Sequence, residues 1–273
     1  MIPKIVHYCW LSNDPMPEES IRYINSWRQL LPDYRFILWN RDNFDIDSAP
    51  WVKESFDNKK YAFAADYIRL FAIYNYGGFY LDSDIELKKS FNDLLDNKIV
   101  IGYESPQKNG LEAGCFGAEP KNQFIGHCLS YYNNRHFISN DGSLDTKPLP
   151  SIMSTFLTSE IKEHAFSYDF FTAKNQDTGV IEESSNTYAI HHFAGSWLTE
   201  FEKAIQQETI YVFSKYGNGV LGKIALVFNM ILCRIRHFGI FDSLKYYIKS
   251  YIHPQNALKS LKRVTAFLGR KNG

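Results

Sequence analysis

The chain contains no C-x-x-C pair; its four cysteines, Cys9, Cys115, Cys128 and Cys233, are scattered. That spacing excludes a cysteine-built zinc site and a disulfide framework, and it fits a reducing compartment. Long apolar runs are missing too. Ile224 to Cys233 is a stretch of ten residues between Lys223 and Arg234, too short to span a bilayer. The first residues, MIPKIVHYCWLSND, lack the build of a signal peptide, because their apolar run is short and broken by His7. No internal repeat is present. Formal net charge is zero, so the overall balance points to neither nucleic acid nor an acidic partner.

The zero hides an asymmetry. From Val220 onward ten basic residues accompany one acid, Asp242, a net +9, so residues 1–219 carry −9. A length of 273 residues accommodates one large domain, or a domain plus an appendage. Aromatic residues make up 16%, which serves sugar-handling surfaces and ordinary cores alike.

The chain is organised around Tyr61 to Glu86, YAFAADYIRLFAIYNYGGFYLDSDIE. Phe63, Tyr67, Leu70, Phe71 and Tyr74 recur at helical spacing and predict one core-facing side. Gly77-Gly78 then supplies residues free to take positive φ where a helix must stop. Phe79-Tyr80-Leu81 starts a buried strand, and Asp82-Ser83-Asp84 follows. In an extended segment, residues two apart point to the same side. Asp82 and Asp84 would then offer two hard oxygen ligands to one point, which suits Mg²⁺ or Mn²⁺ and, through it, a diphosphate. Asp66 and Arg69 are neighbours three apart on the helix. They are either a surface ion pair or an acid and a base held beside the core stripe.

The rest of residues 1–217 reads as alternating strands and helices. Lys4–Leu11 is a first strand. Glu18–Leu31 is an amphipathic helix with Ile21, Ile24, Trp27 and Leu31 inward, and Tyr34–Trp39 is a second strand. Together they form a parallel βαβ opening. Asn40–Asn58 reads as irregular. A short helix over Ser90–Asp96, a strand over Lys98–Tyr103, and helices over Lys121–Asn133 and Ser151–His164 follow. Gly114-Cys115-Phe116-Gly117 reads as backbone that a ligand approaches closely. Tyr188–Trp197 is a strand that runs into a small-residue turn. His191 and His192 face opposite ways on such a strand, so at most one of them can reach a metal. Past Gly217 two apolar stripes, Leu244 to Ile252 and Leu258 to Leu268, are flanked by basic residues. Such helices either lie in a membrane interface, drawn by anionic lipid, or dock as a cap on the preceding domain.

Four segments, IPKIVHYCW, ADYIR, YGGFYLDSD and HHFAGSW, taken in this order, resemble the DXD-containing glycosyltransferases of the GT-A fold. The resemblance is to family GT32, the group with yeast initiating α-mannosyltransferases and bacterial capsular and lipopolysaccharide sugar transferases. The catalytic domains of clostridial glucosylating toxins are more distant. It covers roughly Ile2 to Trp197. It implies a nucleotide-diphospho-sugar transferase fold: a mixed, mostly parallel Rossmann-like sheet flanked by helices over residues 1–217. Residues 218–273 would form a basic helical appendage.

The same resemblance implies site roles. Trp10 would stack on the nucleotide base with Cys9 beside it. Asp66 and Arg69 would hold the donor sugar. Asp82 would lie at the ribose or metal, Asp84 would ligate the metal directly, and His192 would be the late metal ligand. Ser196 and Trp197 would contact the diphosphate. His7 is expected to be structural. Residues around Glu112 and Gly114 lie where relatives contact the sugar, without a sharp match.

The implied reaction moves a hexose from a nucleotide sugar to a glycan or lipid-linked glycan, with retention and with Mn²⁺ or Mg²⁺. UDP-sugars are favoured and GDP-mannose is open. The expected setting is the cytoplasm or the inner face of the cell membrane, in surface polysaccharide synthesis. A metal-dependent phosphohydrolase and a toxin-like protein glycosyltransferase are the rival readings.

Overall fold

A computed structural model describes residues 1–243 and 246, apart from 109, 177, 196, 197 and 218. The chain divides into two units, Met1–Lys174 with Ile181–Trp197, and Asn175–Val180 with Leu198–Gly273.

The first unit opens with β1 (Ile5–Cys9), α1 (Glu18–Leu30) and β2 (Arg35–Trp39), and β1 pairs parallel with β2 in register Ile5 to Arg35. Alternation along β1 sends Val6 and Tyr8 into a core with α1, and sends His7 and Cys9 to the other face of the sheet. The buried side of α1 is Ser20, Tyr23, Ile24 and Trp27. Ile21, expected inward, is exposed, because Tyr23 takes an inner position and stacks on His192. Trp27 is fully buried, and its indole N–H donates to the Ile85 carbonyl at 2.8 Å. That bond pins the backbone just after Asp84.

The stretch expected to be irregular contains α2 (Pro50–Asp57). Pro50 stands at its start, where the missing N–H costs nothing, and Trp51, Val52 and Ser55 are buried. This helix packs on α3 (Tyr61–Tyr76). One apolar face was expected for α3, but burial extends nearly all round it. Ala64, Ala65, Ile68 and Ala72 join the core with α2, while Phe63, Leu70 and Ile73 face the sheet side. The small alanines allow the close approach, so Asp66 and Arg69 are drawn inside with them. The helix ends at Gly77, with φ +64°, and Gly78 follows with φ +101°. A Cβ on Gly78 would lie 2.5 Å from the Ile5 carbonyl oxygen. Only glycine lets the chain turn here and run directly into β3 (Gly78–Leu81), which pairs parallel with β1.

Beyond β3 come β4 (Ile85–Leu87), β5 (Ile99–Val100), β6 (Cys115–Ala118) and β7 (Ala189–His191). The main sheet has the order β2-β1-β3-β6-β5. Strand β6 runs antiparallel to both neighbours, so four of the five strands point one way. This is the mixed, mostly parallel sheet with flanking helices that the resemblance implies. The Gly114–Gly117 segment, read for close ligand approach, mostly lies in β6, an inner strand of that sheet. Strands β4 and β7 form a separate antiparallel ribbon that sets Ile85 opposite His191. The helices α4 (Gln123–Ser130), α5 (Leu149–Thr155) and α6 (Ser159–His164) complete the unit. One helix was expected over Ser151–His164. The chain breaks it between Thr155 and Ser159, and the Thr158 hydroxyl caps α6 by accepting from the Ile161 N–H.

In the second unit α7 (Glu200–Tyr216) and α8 (Val220–Phe238) pack through Val212, Phe213 and Leu226. Helix α7 was not foreseen. It starts with a reciprocal capping box between Thr199 and Glu202. No described helix is long and apolar enough to cross a membrane. Ser196, Trp197 and the stripe Leu258–Leu268 lie outside the described residues, as does all of the Leu244–Ile252 stripe except Tyr246.

Candidate active site

The site forms where the parallel strands end. Cys9 closes β1, Asp82 follows β3 directly, and the antiparallel β6 brings its start, Gly114 and Cys115, to the same edge. This is the edge at which open α/β sheets hold ligands. The Asp82 N–H donates to the Gly114 carbonyl at 2.7 Å, and the Ile85 N–H donates back to the Asp82 carbonyl at 3.0 Å. The segment Asp82-Ser83-Asp84 is therefore a tight turn and not the extended run expected. The turn, and not strand alternation, brings the two carboxylates to one side.

Asp82 is held from two directions. Tyr80 donates its hydroxyl to Oδ1 at 2.9 Å, and Arg69 donates to Oδ2 at 3.1 Å. Arg69 also donates to the Ala113 carbonyl at 2.7 Å, lies 3.3 Å from Asp66 Oδ1, and covers the Tyr80 ring at 4.6 Å. Asp66 and Arg69 are only 9% and 6% exposed, which removes the surface ion-pair reading. One guanidinium serves two carboxylates. Burial outweighs it at Asp66 and pushes that carboxyl up to about 7, with Arg69 pulling the other way. Asp82 is likewise raised, chiefly by burial. The Cys9 thiol faces this cluster and burial pushes it up to about 12, so it acts as a packed neutral group. Trp10 stands one residue beyond β1, half-buried, with its backbone N–H bonded to the Trp39 carbonyl and its indole N–H to the Asp14 carbonyl.

Asp84 takes the Ala194 N–H on Oδ2 at 2.7 Å, and its Oδ1 lies 3.6 Å from His191 Nε2. These contacts hold its carboxyl far below the usual range despite burial. Ligand atoms of Asp82, Asp84 and His191 lie within 4.8 Å of one another. The histidine of the cluster is thus His191 and not the expected His192. The ribbon register decides this, since Ile85 opposite His191 turns that ring toward Asp84. His192 points the other way, stacks on Tyr23 with centroids 5.0 Å apart, and bonds Glu86 at 2.9 Å.

Two further residues join the site that the motifs did not identify. Glu112 is 1% exposed. It accepts from the Gly114 N–H at 2.6 Å, from the Thr172 hydroxyl at 2.8 Å and from His191 Nδ1 at 3.0 Å. His191 Nδ1 must therefore carry the proton that it donates, and Nε2 is left turned toward Asp84. A carboxylate behind a histidine in this manner is how metal-ligating imidazoles are oriented. The resemblance points to the region around Glu112 and Gly114 but matches no residue there sharply enough to give Glu112 this role. Lys174 is the other: it donates to the His192 carbonyl at 2.8 Å, and burial lowers the pKa of its ammonium, with Asp84 opposing.

The donor set fits a divalent cation. Two carboxylates and one imidazole nitrogen converge, hard enough for Mn²⁺ or Mg²⁺. Carboxylates also outnumber cations: Asp66, Asp82, Asp84 and Glu112 share Arg69 and His191. Gly114 keeps the approach open, because a Cβ there would stand 2.7 Å from His191 Cε1 and 2.9 Å from Asp82 Oδ2.

Residues 17–101 match the family model described as the glycosyltransferase sugar-binding region containing a DXD motif. A 146-residue stretch is 33% identical to an inositol phosphoceramide mannosyltransferase of Schizosaccharomyces pombe, covering 50% of this chain and 45% of that protein. A mannosyl phosphorylinositol ceramide synthase of Saccharomyces cerevisiae is 30% identical over 145 residues, 50% of this chain and 38% of the relative. In both cases the match spans less than half of the relative's length. Among solved structures, a PaToxG glycosyltransferase overlays 59% of this chain and 70% of its own at 19% identity, with a TM-score of 0.48. A glycosyltransferase involved in glycosylating the major capsid of PBCV-1 overlays 70% and 93% at 11% identity, with a TM-score of 0.42. These matches are to DXD-containing glycosyltransferases, the group that the four motifs resemble.

Proposed function

We propose that this relative of the DXD glycosyltransferases transfers a hexose from a nucleoside diphosphate sugar to a hydroxyl of a lipid or lipid-linked glycan acceptor. The observation that carries the reading is the convergence of Asp82, Asp84 and His191 beside a buried Asp66–Arg69 pair at the strand ends. The mannosyl relatives favour mannose as the sugar, and their printed names favour a polar lipid as acceptor. The proposed setting is surface glycan or glycolipid synthesis, in the cytoplasm or at the inner face of the membrane. The four free cysteines support that setting.

Asp82, Asp84 and His191 would hold Mn²⁺ or Mg²⁺, whose chemistry there is to neutralise charge on the leaving diphosphate. The chain's own groups do the rest. Trp10 offers an aromatic face to the base. Asp66 accepts from sugar hydroxyls, and Arg69 keeps Asp66 and Asp82 in place from below. Lys174 adds a fixed positive charge near Asp84. No side chain among those in the cluster is free to act as a covalent nucleophile, since each carboxylate is already held by donors. The resemblance implies retention, and without a free nucleophile we assign a front-face path. The bond from the anomeric carbon to the phosphate oxygen breaks, and its electron pair leaves with the nucleoside diphosphate. The acceptor oxygen bonds the same face of the carbon, and its proton passes to the departing phosphate oxygen.

The test is a screen of UDP- and GDP-sugars with Mn²⁺, following thermal stabilisation and product formation. Asp84→Ala should abolish transfer, and Trp10→Ala should chiefly weaken donor binding. Full transfer by Asp84→Ala in the presence of a chelator would overturn the metal assignment. Release of free sugar with every acceptor tried would favour the phosphohydrolase reading instead.

A further inference from the structure

Helix α8 is apolar on two opposite sides. One side, with Leu226 and Cys233, is buried, and Leu226 packs on Val212 and Phe213 of α7. At 100° per residue, Val220, Leu221, Ile224, Val227 and Phe228 centre on the side directly opposite. That side is open: Leu221 is 70% exposed, Ile224 65%, Val227 60% and Phe228 63%. Phe238, Ile240 and Phe241 continue the exposed apolar surface past the helix end. A monomer in water gains nothing from such a stripe, and contiguous exposed apolar surface marks a contact site.

Charge selects the occupant. Helix α8 contains no acid, and Lys223 flanks the open stripe, while Arg236 pairs with Glu208 of α7 at 3.2 Å and Arg234 covers the Phe201 and Phe238 rings. The sequence after it, residues 244–273, adds seven basic residues and no acid. A second copy of this chain would bring the same positive charge to the contact, and so would the chain's own terminal residues. An anionic lipid surface accepts the charge and the apolar stripe together. We infer that the open side of α8 lies in the interface of an anionic bilayer, with Leu221, Ile224, Val227 and Phe228 inserted and Lys223 at the headgroups. The inference is independent of the glycosyl-transfer reading.

The test uses the full chain with sedimenting vesicles of phosphatidylcholine, alone or mixed with phosphatidylglycerol, at low and high salt. The chain should bind the mixed vesicles at least about tenfold better than the neutral ones, and high salt should weaken that preference. The double variant Ile224→Glu with Phe228→Glu should lose at least about tenfold in binding, while circular dichroism shows unchanged helix content. Lys223→Glu, which leaves the apolar stripe intact, should reduce only the salt-sensitive part. Failure of the unaltered chain to bind mixed vesicles would overturn the inference. So would equal binding by the double variant, or a dimer in sizing experiments that dissociates in the double variant without any vesicle binding.

Discussion

Acidification should remove a stabilising contribution made by one buried histidine. His7 lies within β1 with no exposed surface. Its Nε2 faces the Gly77 carbonyl at 2.9 Å, and a carbonyl only accepts. Its Nδ1 lies 3.0 Å from the indole nitrogen of Trp39, which only donates. The ring must therefore be neutral with its proton on Nε2, and a second proton on Nδ1 would face the Trp39 N–H. Burial is the main reason its pKa falls to about 4 from the ordinary 6.5, with the Gly77 bond opposing. Between those values the unfolded chain binds a proton that the folded chain refuses, so this contribution is present above the ordinary pKa and is lost as pH falls toward the folded one. The full interval is worth about 3 kcal/mol, and the drop from about pH 7 to about pH 5 costs about 2 kcal/mol.

Asp66 opposes this change. Its folded pKa is raised to about 7, so the folded state takes up a proton as pH falls, and acid favours folding at that site. The wild-type profile mixes the two, and a comparison isolates His7. In His7→Gln, which keeps a donor and an acceptor, the stability deficit relative to wild type should shrink by about 2 kcal/mol between about pH 7 and about pH 5. Urea midpoints followed by tryptophan fluorescence measure it. A deficit constant to within about 0.5 kcal/mol across that range would refute the neutral, doubly bonded His7.

Two further outcomes follow from the same geometry. Gly78→Ala should cost more than about 3 kcal/mol, because it combines φ +101° with a Cβ 2.5 Å from the Ile5 oxygen; a loss below about 1 kcal/mol in chemical denaturation would contradict this account of the turn. Glu112→Gln should weaken Mn²⁺ binding by about 10- to 100-fold in calorimetry while the melting temperature without metal changes little, since Glu112 orients His191 and touches no ligand itself. Unchanged Mn²⁺ affinity would remove Glu112 from that role.

Much of the framework is local, and local physics is legible in a sequence. Period and punctuation place β1, α1, β2, α3 and β3, because apolar spacing and the Gly77-Gly78 stop act within a few residues. The helix α2 escaped, since its polar positions mask Trp51 and Val52, which matter only once α3 is beside them. Helix α7 escaped because its mixed surface shows a weak stripe. In α1 the inner position passed from Ile21 to Tyr23, where the His192 ring, just past β7, stacks on it.

The sequence by itself determined which residues carry the chemistry: a D-x-D after a two-glycine turn, an acid and an arginine on the preceding helix, and a histidine pair far downstream. Tertiary structure alone decided how they meet. The Asp66–Arg69 pair is buried because alanines let α2 and the sheet close over α3. Asp82 and Asp84 converge through a turn tied to Gly114. The β4–β7 register selects His191 over His192, and Glu112 becomes its support across 79 residues of chain. Each of these depends on contacts between segments remote in sequence, which no local pattern encodes.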